Sequence, residues 1–160
     1  MTTSESKIVR DSSKLSAHLT ALARPVVFTN GCFDILHRGH VAYLEEAAQF
    51  GKSLVLGVNS DNSVRRLNKD TDRPINPLED RMTILAALAC VSLVVPFDED
   101  TPLALIRIVH PDHLVKGGDW APEKIIGSDW VRAYGGEVHS IPFRFERSTT
   151  DLLRRIRGHG

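Results

Sequence analysis

Five short runs rich in apolar residues punctuate this chain, the first three the most apolar, and each is followed by a stretch whose apolar residues recur at helical spacing. The runs are Pro25–Asn30, Ser53–Val58, Val91–Val95, His113–Lys116 and Gly136–Ile141. A strand that is apolar on both faces has no side to turn to water, so it belongs inside a sheet covered on both sides. Parallel pairing needs long crossovers, and the intervening segments supply them as helices. The spacing predicts helices over Ser12–Ala23, Arg38–Phe50, Asp61–Leu67, Pro77–Ala89, Pro102–Val109 and Ser148–Arg157. It also predicts one helix, or two broken near Gly127, over Pro122–Tyr134. Asn68–Asn76 is polar, contains Pro74 and reads as a loop.

The expected fold is therefore α/β: a Rossmann-like open parallel five-stranded sheet with helices on both faces. At 160 residues one core suffices. Residues 1–23 read as a tail and covering helix, with Met1–Lys7 a disordered start, and 24–160 as the working domain. In such sheets ligands bind beyond the carboxyl ends of the strands, where the strand order reverses. The loops after Asn30, Val58, Val95, Lys116 and Ile141 are the places to search.

Composition narrows the partners. Twenty basic and 20 acidic residues balance to a formal charge of zero, which speaks against a nucleic-acid binder built on phosphate contacts. No apolar stretch approaches the length of a membrane span, and no apolar signal core follows the polar start, so neither membrane nor export is expected. The two cysteines, Cys32 and Cys90, can pair in principle but make no disulfide framework, and a reducing cytoplasm is the simplest home.

The chemistry concentrates in the first loop, Thr29-Asn-Gly-Cys-Phe-Asp-Ile-Leu-His-Arg-Gly-His40. Gly31 lets the backbone turn and approach a ligand. His37 and His40 share a face of the first helical turn, where free N–H groups already favour an anion. Two imidazoles there suit a polyphosphate, and Gly39 leaves room for it. Two surface histidines without a partner are the bland reading. Zinc on Cys32, His37 and His40 is another, short of a fourth ligand nearby.

His37-Arg-Gly-His40 after a first strand resembles the HxGH signature of the nucleotidyltransferases related to class I aminoacyl-tRNA synthetases. The block Thr29-Asn-Gly-Cys-Phe-Asp34 is similar to the cytidylyltransferase-like branch, and within it to the bacterial heptose 1-phosphate adenylyltransferases. The resemblance runs from about Arg24 to Arg157 and includes four further blocks. Val58-Asn-Ser-Asp61 lies by the sugar phosphate in that family, although Ser60 or Asp61 would also cap a helix. Arg73-Pro-Ile-Asn-Pro-Leu-Glu-Asp-Arg81 carries two arginines suited to phosphate, against a simpler reading as a rigid loop with solvated charges. Lys116-Gly-Gly-Asp-Trp120 stands at a strand's carboxyl end, where Gly-Gly alone would also make a turn. Arg147-Ser-Thr-Thr-Asp151 opens the last helix with a capping-box-like pattern.

The resemblance implies catalytic roles for His37, His40, Lys116 and Thr149. It implies nucleotide contacts from Asn30, Gly31, Cys32, Phe33, Gly39, Gly118, Asp119, Arg147, Ser148 and Thr150, besides His40, Lys116 and Thr149. It places Asp34, Asn59, Asp61, Lys69, Arg73, Arg81 and Trp120 near the sugar phosphate. The implied reaction is AMP transfer from ATP to a heptose 1-phosphate, with Mg²⁺ on the polyphosphate and no protein metal site, for lipopolysaccharide core synthesis. A homodimer is implied, and a separate kinase to supply the sugar phosphate. The rivals are CTP with glycerol 3-phosphate or a similar polyol phosphate, and a non-catalytic nucleotide sensor. No G-x-G-x-x-G is present, and Gly51-Lys-Ser53 lacks the first glycine of a P-loop and runs into a strand.

Overall fold

The computed structural model describes residues 3–67 and 72–158. Five parallel strands form one sheet in the order β3-β2-β1-β4-β5. They are β1 (Val26–Gly31), β2 (Ser53–Asn59), β3 (Leu93–Phe97), β4 (His113–Gly117) and β5 (Glu137–Ile141). The helices are α1 (Ser12–Thr20), α2 (Arg38–Ala48), α3 (Asp61–Leu67), α4 (Leu78–Ala86), α5 (Leu103–Val109), α6 (Ser128–Ala133) and α7 (Thr149–Ile156).

Alternation along each strand divides the core in two. Val27, Leu54, Leu56, Val94 and Val115 pack with Tyr43, Leu44 and Ala47 of α2 and Met82 and Leu85 of α4. Phe28, Val55, Leu93, Val95 and Leu114 face the other way, against Leu15 of α1, Ile106 of α5 and Val131 of α6. Each fully buried side chain of this kind contributes roughly 1.5–3 kcal/mol. The double cover explains why β1, β2 and β3 read as nearly unbroken apolar runs, whereas the edge strand β5 is less buried and carries Glu137, His139 and Ser140.

Several helices end two or three residues short of their expected ends, α1 at Thr20 and α4 at Ala86 among them, and three further differences bear on the architecture. β3 runs to Phe97 rather than stopping at Val95, and includes Pro96. It lies at the sheet edge beside β2 alone, where a missing N–H is tolerated. The expected disordered start holds order from Ser4: Ser4–Lys7 makes a 3-10 turn, and Ile8 bridges to Val94 along the outer side of β3. Ile8 and Val9 are buried, which is what anchors this segment. The stretch Pro122–Tyr134 divides into a 3-10 turn, Pro122–Lys124, and α6, separated by Gly127 at φ 87°. No described helix is long and apolar enough to cross a membrane.

Candidate active site

β1 is flanked by β2 on one side and β4 on the other, so the chain's order reverses between β1 and β4. Their carboxyl ends open into a cleft with two lobes. One, of about 140 Å³, is lined by Pro102, Leu114, Trp120, Ile125 and Ile126. The other, of about 150 Å³, is lined by Gly31, Cys32, Phe33, His40, Tyr43 and Phe143. Asn30 and Lys116 border both lobes. The apolar lobe suits a planar ring, and the second gathers the polar groups.

His37 is the N-cap of α2: its Nδ1 accepts a hydrogen bond from the Gly39 N–H at 3.1 Å. That bond fixes the neutral tautomer with its proton on Nε2. A side chain on Gly39 would meet the His37 ring at 3.0 Å, so the capped position of the ring leaves little room for one there. The His37 and His40 rings stack at 3.9 Å, and Phe33 meets His40 edge-on at 5.6 Å. His40 Nδ1 is buried without a hydrogen-bond partner. Burial, and then the neighbouring His37, push His40 down to about 4. His37 is lowered as well, first by burial and then by the charge of Arg147. Both rings are therefore neutral donors at pH 7, already partly stripped of water.

Lys116 ends β4 beside Cys32. Burial lowers its pKa, and no described carboxylate forms an ion pair with it. Burial likewise raises the Cys32 thiol, whose Sγ lies 3.8 Å from Asn59 Oδ1. The ligand atoms of Cys32, His37 and His40 do not converge within 4.8 Å, so the zinc alternative finds no centre. Gly118 adopts φ 107°, and its N–H donates to Ile141 at 2.8 Å. Asp119 is exposed, and Trp120 is half exposed with its N–H on Ser140 Oγ at 3.1 Å.

The N-terminus of α7 closes the polar side. Ser148 Oγ accepts from the Asp151 N–H at 3.0 Å, as the capping pattern anticipates. Thr149 Oγ1 donates to Ile35 O at 3.2 Å, tying α7 to the first loop. Arg147 and Thr150 are exposed beside it.

The remaining charged candidates hold loops together. The Asp34 carboxylate is fully buried and accepts from Arg73 Nε at 2.6 Å and from the N–H groups of Ile75 and Asn76 at 2.8 and 2.9 Å. Arg81 is 1% exposed. Its guanidinium donates to Asn76 O, Cys32 O, Asn59 O and Asp61 Oδ1 at 2.7–3.0 Å. It thus joins the loops after β1 and β2 to the start of α4. Asn59 is buried, with its side-chain N–H on Ser63 Oγ at 3.0 Å. Ser60, rather than Asp61, caps α3, accepting from the Ser63 N–H at 3.0 Å. Lys69 lies outside the described residues. Tyr43, Phe143, Ile125 and Ile126 line the cleft without having stood out in the sequence, since apolar residues there carry no motif.

The chain is 53% identical over 154 residues to the D-beta-D-heptose 1-phosphate adenylyltransferase of Bordetella bronchiseptica, covering 96% of this chain and 95% of that protein. It is 56% identical over 133 residues to the bifunctional protein HldE of Syntrophotalea carbinolica, covering 83% of this chain but 27% of that protein, so it spans about a quarter of this longer relative. A crystal structure of the lipopolysaccharide core biosynthesis protein from Thermoplasma volcanium superposes with a TM-score of 0.59 at 27% identity, covering 76% of this chain and 98% of that one. The cytidylyltransferase-like family matches residues 28–151, which take in the first loop, the strand reversal and the start of α7, and the chain belongs to that family.

Proposed function

We propose that this protein transfers AMP from ATP to a heptose 1-phosphate, releasing pyrophosphate and ADP-heptose for lipopolysaccharide core synthesis. The supporting observation is the pair of stacked neutral imidazoles at the start of α2, set between Lys116 and the N-terminus of α7 at the β1/β4 reversal. The substrate in this reading is that of the Bordetella relative, which matches along nearly the whole of both chains.

In this reading the adenine occupies the apolar lobe against Trp120 and Ile126, and the triphosphate crosses Asn30 and Lys116 into the polar lobe; Trp120, expected near the sugar phosphate, is reassigned to the base because it lines the apolar lobe. An oxygen of the sugar phosphate attacks the α-phosphorus, the bond from that phosphorus to the bridging oxygen of the β-phosphate breaks, and pyrophosphate leaves with the electron pair. The attacking group is already an anion, so no general base is needed. Catalysis is then alignment and neutralisation of charge. His37 and His40 donate to the transferring and leaving phosphates. Lys116, Arg147 and the free N–H groups of α7 share the remaining charge, and the Thr149 hydroxyl, bonded to Ile35 O, holds that end of the helix beside the first loop. Asp34 and Arg81 act by fixing the loops that carry the sugar-phosphate contacts.

The described cleft residues group no three metal-ligating side chains, and the Asp34 oxygens are already held by the protein. Mg²⁺ would be carried by the nucleotide's own phosphate oxygens and water, and would supply charge neutralisation to the polyphosphate.

The test is pyrophosphate release with ATP or CTP and a panel of sugar and polyol phosphates, with His40→Ala as control. Release with ATP and a heptose 1-phosphate, reduced about 10²–10³-fold in the variant, supports the reading. Release only with CTP and a polyol phosphate replaces the substrates. Tight nucleotide binding without release under any pair makes the protein a sensor.

A further inference from the structure

Towards the amino ends of β4 and β5, away from the cleft, two histidines and a glutamate converge. β4 pairs with β5 in a register that sets His113 opposite Glu137 and Val115 opposite His139. His139 follows Glu137 by two residues, so all three side chains rise from one face of the sheet. His113 Nδ1 lies 3.0 Å from His139 Nε2 and 3.8 Å from Glu137 Oε2, and His139 Nε2 lies 3.4 Å from the same oxygen.

We propose that His113, Glu137 and His139 form a binding site for a divalent transition-metal ion, zinc by preference. Bonds of 2.0–2.1 Å in a tetrahedron place neighbouring ligand atoms about 3.3 Å apart. The three observed separations straddle that length. An ordinary histidine pair would share one hydrogen bond and have no need of a carboxylate oxygen within 3.8 Å of both rings.

The surroundings favour a held ligand set. Phe50, just beyond α2, stacks on the His139 ring at 4.0 Å and lies 6.0 Å from that of His113. This wall limits the rotation of both imidazoles. The histidine side chains are mostly covered, at 16% and 22% exposed, whereas Glu137 is 66% exposed and leaves a side open to water as a fourth ligand. Two imidazoles with one carboxylate suit zinc and its neighbours; calcium and magnesium prefer all-oxygen shells. β5 is an edge strand, and the ion would join it to β4 independently of their backbone hydrogen bonds.

The experiment uses tag-free protein stripped with a chelator and titrated with Zn²⁺ by calorimetry, with Co²⁺ as a visible-absorption probe of four-coordinate geometry. One ion per chain is expected, with a zinc-dependent rise in Tm. His139→Ala and Glu137→Gln should each weaken binding at least about tenfold, while nucleotide-dependent pyrophosphate release in metal-stripped protein with magnesium stays at the parent level. Glu137 is exposed, so its variant keeps the test open where His139→Ala fails to fold. His40→Ala should leave zinc binding intact. Absence of saturable binding, binding unchanged in Glu137→Gln, or binding lost in His40→Ala overturns the proposal.

Discussion

The imidazole of His37 folds back over its own helix and receives the N–H of Gly39 at 3.1 Å, so one member of the HxGH pair is aimed by the glycine inside the motif. Gly39→Ala would set a methyl group 3.0 Å from that ring. The ring must shift to clear it, which disturbs the cap and the aim of Nε2. We expect pyrophosphate release to fall on the order of 10²-fold, with Tm lower by only a few degrees. Parallel steady-state kinetics and calorimetry decide it; parent-level kcat in Gly39→Ala would show that the cap does not aim the ring.

The depressed pKa of His40 makes stability depend on pH in a definite direction. The folded ring titrates at about 4 against an ordinary value of 6.5, so the unfolded chain binds more protons between those values. Stability is fully present above about 6.5 and is lost as pH falls through the window towards 4. Urea midpoints measured from about pH 7.5 to 4.5 should therefore decline on acidification, and His40→Asn should flatten that decline. Identical slopes in the two proteins would mean that His40 is not held neutral.

Arg81 should behave as an internal strut. Removing a buried guanidinium leaves three carbonyl oxygens and the Asp61 carboxylate without their donors. Arg81→Ala should cost about 3–5 kcal/mol, a fall in Tm on the order of 10 °C. Arg81→Lys should rescue little, because an ammonium group cannot span the four acceptors. A variant that melts like the parent yet raises KM for the sugar phosphate would instead make Arg81 a substrate contact.

Trp120 offers the opposite case. It is 48% exposed and borders the apolar lobe. Trp120→Ala should leave Tm nearly unchanged and raise KM for ATP roughly tenfold, a loss of about 1.4 kcal/mol of ring contact. Initial-rate kinetics over ATP concentration, alongside a melt, separate the two effects.

The five strands and their parallel pairing follow from apolar runs alternating with helical spacing, because burial on both faces leaves a strong imprint on composition; the strand order, and with it which of the five loops flank the reversal, depends on long-range pairing that no local pattern carries. Boundaries are less legible. Pro96 reads as a stop, yet it is harmless on an edge strand, and Ile8 and Val9 are too short a run to announce the segment that covers that edge. Within the site, His37 and His40 stack as their spacing suggests, and Lys116, at its strand's carboxyl end, lines the same lobe as His40. Asp34 and Arg81 carry the same outward chemistry as ligands, and only their burial and complete hydrogen bonding distinguish a strut from a contact. Tyr43 and Phe143 shape the polar lobe through packing, which no local pattern encodes.

The bond from Thr149 to Ile35 joins residues 114 positions apart, while α7 buries only Leu153. A helix with so little burial should open at smaller cost in free energy than the sheet it covers. In the proposed reaction a phosphate at its N-terminus would add RT ln(1 + [L]/Kd) to the docked state, so the nucleotide would help to complete the wall that holds it.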